Sequence, residues 1–307
     1  MLIKKNATIK GGKKIENKIL NWDEEDYPQK LLEIRDYPEK LHYLGNKELL
    51  NNRKVVAIVG SRNCTEYGRK FARKFAKELS QEGICIISGL AVGIDTAAHF
   101  GAVLEQGSTI AVLGGGLNNI YPKSNKWLFN EIATNDGCII SEHEDDAETC
   151  LEGFPKRNRI ISGIADGVLV IEAEYRSGSK ITARYAKEQG KKVFCIPSNL
   201  DSKNGVGTNN LIKEGAILVT NANDIIKKLY DDRSDSLGKQ LSIMPVSEEY
   251  RDVYNLLQGR DMTNDEISRS LNIEISKMNS ILTMMELEGY IEQAAGSVFK
   301  IKGKDIV

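Results

Sequence analysis

At 307 residues the chain is about twice the length of an ordinary single domain, which predicts one large domain and a smaller companion. Hydrophobic residues make up 41% and charged residues 28%, a globular composition that excludes collagenous and low-complexity disordered classes. Against 43 acidic residues stand 42 Lys and Arg, a net charge of -1, which excludes a protein held on nucleic acid by bulk attraction and confines any phosphate site to a local patch.

Residues 1 to 20 carry Lys4, Lys5, Lys10, Lys13, Lys14 and Lys18 against Glu16 alone, and read as a loose arm or a frayed first helix. No apolar stretch follows that would serve as a signal peptide or cross a membrane, so a cytoplasmic protein with no membrane partner is expected. From Tyr27 to Asn46, YPQKLLEIRDYPEKLHYLGN, two Tyr-Pro pairs punctuate a short apolar pattern. It is expected to be a lead-in packed on the main domain, so that residues 1–51 form arm and lead-in.

Between residues 52 and 230, short β-branched runs alternate with helix-length amphipathic segments. The expected strands are Val55 to Gly60, Ile84 to Ser88, Thr109 to Leu113, Cys138 to Ser141, Gly167 to Glu172, Val193 to Pro197 and Ala216 to Val219. They are almost continuously apolar, as parallel strands covered on both faces are. Helical patterns such as Gly68 to Gly83 and Asp95 to Gly107 lie between them. The fold class is therefore α/β, a doubly wound, mostly parallel sheet.

Residues 231–245 open on DDRSDSLGK, polar and aperiodic, and are expected to be a linker. In 246–307, Thr263 and Glu266 form an S/T-x-x-E capping box, and Ile275, Met278, Ile281, Leu282 and Met285 give the next helix an apolar face. Two short strands then flank Ala295-Gly296-Ser297. Three helices and a hairpin make a small C-terminal winged-helix domain. The five cysteines and three histidines are scattered, which argues for reduced thiols and against a zinc site.

In an open parallel sheet, ligands bind beyond the carboxyl ends of the strands, which directs attention to five loops. Gly60, Ser61 and Arg62 combine a small residue, a hydroxyl and a guanidinium fork suited to phosphate, or else form a tight turn with a solvated arginine. Ser88, Gly89 and Gly93 lie in SGLAVGID, whose glycines permit an amide nest or close helix-sheet packing. Its spacing is not the dinucleotide fingerprint, and no cofactor is expected. Gly114-Gly115-Gly116 leads to Lys123 and Lys126, and three glycines in a row call for positive φ or close contact. Phe154, Lys156, Arg157, Asn158 and Arg159 join an aromatic to a basic run, the combination that single-stranded nucleic acid favours, and Pro155 suits the first turn of a helix. Ser177, Gly178 and Ser179 offer further donors. Glu172 and Glu174 read as general bases or, preferably, as partners of Arg176 and neighbouring cations. His99 reads as a satisfied, partly buried histidine.

These residues carry a resemblance. The strings VAIVGSR, ISGLAVGIDTAAHFGA, TIAVLGGGLNNIYPKSN, FPKRNRIISGIADGVLVIEA and SGSKITARYAKEQGKKVFCIP run in order, and together the chain resembles the DprA/Smf family of bacterial DNA-processing proteins. The resemblance implies a Rossmann-like core, usually homodimeric, that binds and protects single-stranded DNA and loads the recombinase RecA during natural transformation. It implies DNA contacts at Arg62, Lys123 and Lys156 to Arg159, with the Ser88 and Ser177 loops beside them. The five loops themselves supply glycines, hydroxyls and cations but no well-formed acid–base–nucleophile set, so no catalytic residues and no enzyme are expected.

Two competing readings have their own signals. A nucleotide-binding enzyme related to nucleoside-monophosphate hydrolases would need a glutamate where SGSKITA has Ile181 and Thr182. A transcription factor led by the winged helix is disfavoured because Val246 to Gly296 holds ten acidic residues against four basic ones, the opposite of a phosphate footprint. A protein contact or a stabilising appendage is the expected role of that domain.

Overall fold

The computed structural model describes residues 16–52, 54–105, 108–150, 152–175, 177–231, 250–287, 290–294 and 297–301. The lysines of the arm before residue 16, Arg176, most of the expected linker and Ala295-Gly296 lie outside the described residues. The chain divides into two compact units, with the division at residues 234 and 235.

The first unit is built on strands Lys18–Asn21 (β1), Lys40–Gly45 (β2), Val55–Val59 (β3), Cys85–Ser88 (β4), Thr109–Val112 (β5), Cys138–Ser141 (β6), Gly167–Val170 (β7), Lys192–Cys195 (β8) and Ile217–Leu218 (β9). Its helices are Gln29–Leu32 (α1), Glu66–Gln81 (α2), Ile94–Leu104 (α3), Lys126–Thr134 (α4), Gly153–Ile164 (α5), Gly178–Glu188 (α6), Val206–Lys213 (α7) and Ala222–Tyr230 (α8). All nine strands form one sheet in the order β1-β2-β6-β5-β4-β3-β7-β8-β9. The seven expected strands are all present and pair in parallel.

Every residue of β3 is buried, and alternate residues feed opposite faces, as the two-residue period of a strand requires. Val55, Ala57 and Val59 join a core with Ile160, Ile164, Ala183 and Leu211, whereas Val56 and Ile58 join Phe75, Leu79, Ala98 and Ile225. Such double-sided burial explains why the strands read as unbroken apolar runs.

The lead-in differs from expectation. Rather than packing on the sheet it extends it: β2 pairs antiparallel with β6, and β1 pairs with β2. Lys18 to Leu20 are therefore strand, not arm. Between the two strands, Tyr27 is fully buried, and its hydroxyl donates to the Pro38 carbonyl.

From β3 the chain winds to one side through β4, β5 and β6, then returns past β3 to β7 and winds to the other side. The carboxyl ends of β3 and β7 consequently diverge, and their loops open a crevice.

The second unit comprises Arg251–Gly259 (α9), Met262–Thr263 (β10), Asn264–Leu271 (α10), Ile275–Leu287 (α11), Ile291–Ala294 (β11) and Val298–Ile301 (β12). Its sheet order is β10-β12-β11. The expected capping box forms at Thr263, whose side chain accepts from the Glu266 N–H while Glu266 reaches back to Thr263. Val253, Leu257, Ile267, Met278, Leu282 and Met285 make the core. Ile275 was expected on the apolar face but is half exposed, because it begins α11, before the helix meets the core.

Candidate nucleic-acid interface

The crevice is a cleft of about 380 Å³ lined by the loops after β3 and β7 and by the first turns of α5 and α6. Its first wall is the Gly60-Ser61-Arg62 turn. The Ser61 N–H donates to the Glu172 carbonyl at 2.8 Å, and the Ser61 carbonyl accepts from the Ile94 N–H at 3.2 Å. Gly93, at φ +88°, passes so close to the Ser61 and Arg62 carbonyls that any Cβ there would collide with them. A glycine is required on both counts. Ser61 is buried and its Oγ accepts from Asn63 N–H at 3.1 Å. Arg62 is exposed, with its guanidinium 4.8 Å from the centroid of Phe154.

The basic run of α5 does not form one cluster. Residues in a helix are turned by about 100° per step, so four consecutive side chains fan around it. Lys156 is exposed, with its Nζ 3.6 Å from Glu142, and Asn158 lines the cleft. Arg157 forms the cleft floor: it is buried and donates to the carbonyls of Gly89, at 2.8 Å, and of Val112. Arg159 faces away from the cleft and is 4% exposed, gripping Glu142 with two bonds of 2.9 and 2.8 Å and the Asp36 carbonyl with a third. The expected joint contact of Arg157 and Arg159 with a ligand is thus corrected to a floor and a brace. Burial pushes the Glu142 carboxyl up, but the bonds and charge of Arg159, with the charge of Lys156, outweigh it and leave the group below the usual carboxylate range.

Burial likewise lowers Arg157 to about 10, with the Asp95 charge opposing and the Arg62 charge adding to the shift. Asp95, which sequence reasoning passed over, is buried and accepts from the N–H groups of Gly89 and Ala91. Its carboxyl is pushed up by burial, against the charge of Arg157. Ser88 is fully buried and its hydroxyl donates to the Ile58 carbonyl at 2.7 Å, which removes it from the surface. The Ser88 loop supports the cleft from below, with only Ala91 and Asp95 at its lining.

The opposite wall is the start of α6. Ser177 caps it by accepting from the Ser179 N–H at 3.3 Å, and the two hydroxyls lie 2.7 Å apart. Gly178 is exposed at the lining beside them. Glu172 is not a free base, and it forms no ion pair with a cation among the described residues. It is 2% exposed, and its carboxylate accepts from the Thr65 N–H at 2.9 Å and from the Thr65 hydroxyl, anchoring the start of α2.

Next to the first cleft lies a second, of about 450 Å³, bounded by Asn118 to Tyr121, Lys123, Lys126, Glu148 and Thr149. The glycine triplet above it has no positive φ. Gly115 and Gly116 instead press on Thr149, Glu144 and Asp145. Tyr121, which sequence reasoning also missed although it opens the Tyr-Pro-Lys string, stands 5.6 Å from Phe154. Arg62, Phe154 and Tyr121 thus form a continuous row bridging the two clefts. Arg62, Lys123 and Lys126 have no ion-pair partner among the described residues.

His99 is fully buried. Thr109 Oγ1 donates its proton to the Ile86 carbonyl at 2.7 Å, so at 2.8 Å it accepts from His99 Nδ1–H. Nε2 has no partner among the described residues, and burial lowers the imidazole to about 3, helped by the charge of Arg157.

A doubly wound α/β sheet with an aromatic-cationic row over its topological switch point, followed by a winged helix, defines a class of DNA-associated protein. The family model described as DNA recombination-mediator protein A matches residues 18–230, and the DprA winged helix domain matches residues 239–297. The chain belongs to this DNA-processing family. It is 44% identical over 207 residues to protein Smf of Escherichia coli, covering 67% of this chain and 55% of the relative. DNA processing protein DprA of Streptococcus pneumoniae is 47% identical over 200 residues, 65% of this chain and 70% of that protein. The chain therefore spans little more than half of the E. coli relative. Among solved structures, the DNA processing protein A of Helicobacter pylori, described for its single-stranded DNA binding mode, superposes with a TM-score of 0.64 at 33% identity, covering 71% of this chain and 97% of that one.

Proposed function

We propose that this chain is a non-enzymatic single-stranded DNA-binding protein of the cytoplasm, which protects incoming strands and promotes RecA loading in natural transformation as a homodimer. The row Arg62–Phe154–Tyr121 across the two clefts is the observation that carries the binding reading. Unpaired cations suit phosphates, an exposed Tyr121 ring beside a half-buried Phe154 suits unstacked bases, and neither demands a particular sequence. Family membership and the H. pylori relative's binding mode support the same reading. RecA loading and dimerisation rest on family membership alone.

Hydrolysis of a nucleoside monophosphate is disfavoured by the position of Glu172. Its carboxylate is committed to Thr65, and where the hydrolase loop would carry its glutamate the start of α6 presents Ile181 and Thr182 to the cleft, while Glu174 lines the cleft from the preceding loop.

The test is oligonucleotide binding as a function of salt. Arg62→Ala and Lys123→Ala should each weaken binding to single strands and reduce the magnitude of the log-log salt slope by about 0.7 to 1. Unchanged affinity and slope in both variants would remove the clefts from the binding path.

A further inference from the structure

One group of aromatic and cationic side chains lies outside both clefts. Helices α2 and α3 pack so closely that a Cβ at Gly101 would meet the Arg73 carbonyl oxygen at 2.6 Å. That approach lays the Arg73 guanidinium over Phe100, 4.9 Å from the ring centroid. Phe100 in turn stands 5.9 Å from Trp127, edge-on at 74°. Trp127 directly follows Lys126, a residue of the second cleft, so the row starts where the cleft ends.

Exposure and charge single this row out. Trp127 is 46% exposed, and Arg73 is also exposed. Along α2, Arg69, Lys74 and Lys77 are matched by Glu66, Glu78 and Glu105. Lys70 and Arg73, one helical turn apart, have no such match among the described residues. Unmatched cations therefore sit at both ends of the aromatic pair, Lys126 at one and Arg73 with Lys70 at the other.

We propose that Trp127, Phe100 and Arg73 form a second contact surface for single-stranded nucleic acid, carrying a strand onward from the Lys123–Lys126 cleft. The inference rests on the proposed binding reading of the clefts and extends it to the α2–α4 face. Single strands are the fitting occupant because their bases offer open π faces, which a duplex hides, while their phosphates need the unmatched cations. Loss of one stacked base is expected to cost roughly tenfold in affinity, about 1.4 kcal/mol.

The chain contains two tryptophans, and Trp22→Phe leaves Trp127 as the sole indole reporter. Two oligothymidylates, one of about 5 nucleotides to fill a cleft and one of about 20 to run past it, are titrated into the full chain. Binding is followed by anisotropy of a labelled strand and by indole emission. The expected result is that both strands bind and only the longer one quenches Trp127. In the otherwise unaltered chain, Trp127→Ala and Arg73→Ala should weaken the longer strand roughly tenfold and leave the shorter one unchanged. Tight binding of the longer strand with unaltered Trp127 emission would overturn the proposal while sparing the clefts. Emission that changes on dilution without DNA would overturn it in favour of a second copy of the chain on this face. Failure of both strands to bind would overturn the cleft reading along with it.

Discussion

The floor of the first cleft and the rim that joins it to the second use the same chemistry for opposite ends. Arg157 and Arg159 on the floor side are buried and consumed by Gly89, Val112, Glu142 and Asp36, whereas Arg62, Lys123 and Lys126 on the rim are exposed. A buried guanidinium must have its donors satisfied by the protein, because an unpaired buried charge is severely penalised. A rim cation stays solvated at little cost and remains free for a phosphate. Charge in a sequence motif therefore reports a binding contact only when the fold leaves it unpaired.

The sharpest way to break this contrast is to unpair the floor side. Glu142→Gln removes the buried one of Arg159's two counter-charges, leaving the exposed Asp36 carboxylate 3.1 Å from Nε, and should cost about 2 kcal/mol of stability, read as a lowered denaturation midpoint in urea. A shift near zero would place Arg159 with the rim group. A smaller effect per pH unit is expected at His99, next to the same floor. Its folded value of about 3 lies below the ordinary 6.5, so as pH falls the unfolded chain takes up the proton first. Its contribution is complete above pH 6.5 and declines toward about 3, at up to about 1.4 kcal/mol per pH unit. Urea titrations at several pH values should show this slope in the parent chain and a shallower one in His99→Gln. Least of all should Arg62→Ala alter stability: a change within about 0.5 kcal/mol is expected for an exposed side chain with no ion partner, even as DNA binding weakens. A larger loss would show that the Arg62–Phe154 stack supports the fold.

The seven parallel strands were legible because a strand covered on both faces is apolar at every position, as in β3, and a local window sees that directly. Strands β1 and β2 were not, because their reason for being strands is β6, far along the chain, and two Tyr-Pro pairs disguise the segment as irregular. The loops of the site were legible from their glycines, hydroxyls and cations at strand ends. The duties of individual residues were not: Arg157 and Arg159 differ only in which side of α5 they occupy, and Ser88 and Glu172 are claimed by Ile58 and Thr65, partners distant in sequence. Tyr121 joins the site only through its approach to Phe154, which no local spacing encodes.

The antiparallel extension of the sheet has a consequence for biosynthesis. Strand β2 is translated well before β6, the strand that joins it and β1 to the rest of the sheet. At about 5–20 residues per second, the segment containing β1, α1 and β2 leaves the ribosome and waits on the order of ten seconds for that partner. During this interval its apolar residues, Tyr27 and Leu41 among them, lack the β6 edge that seats them, so the lead-in locks into register only once β6 has emerged.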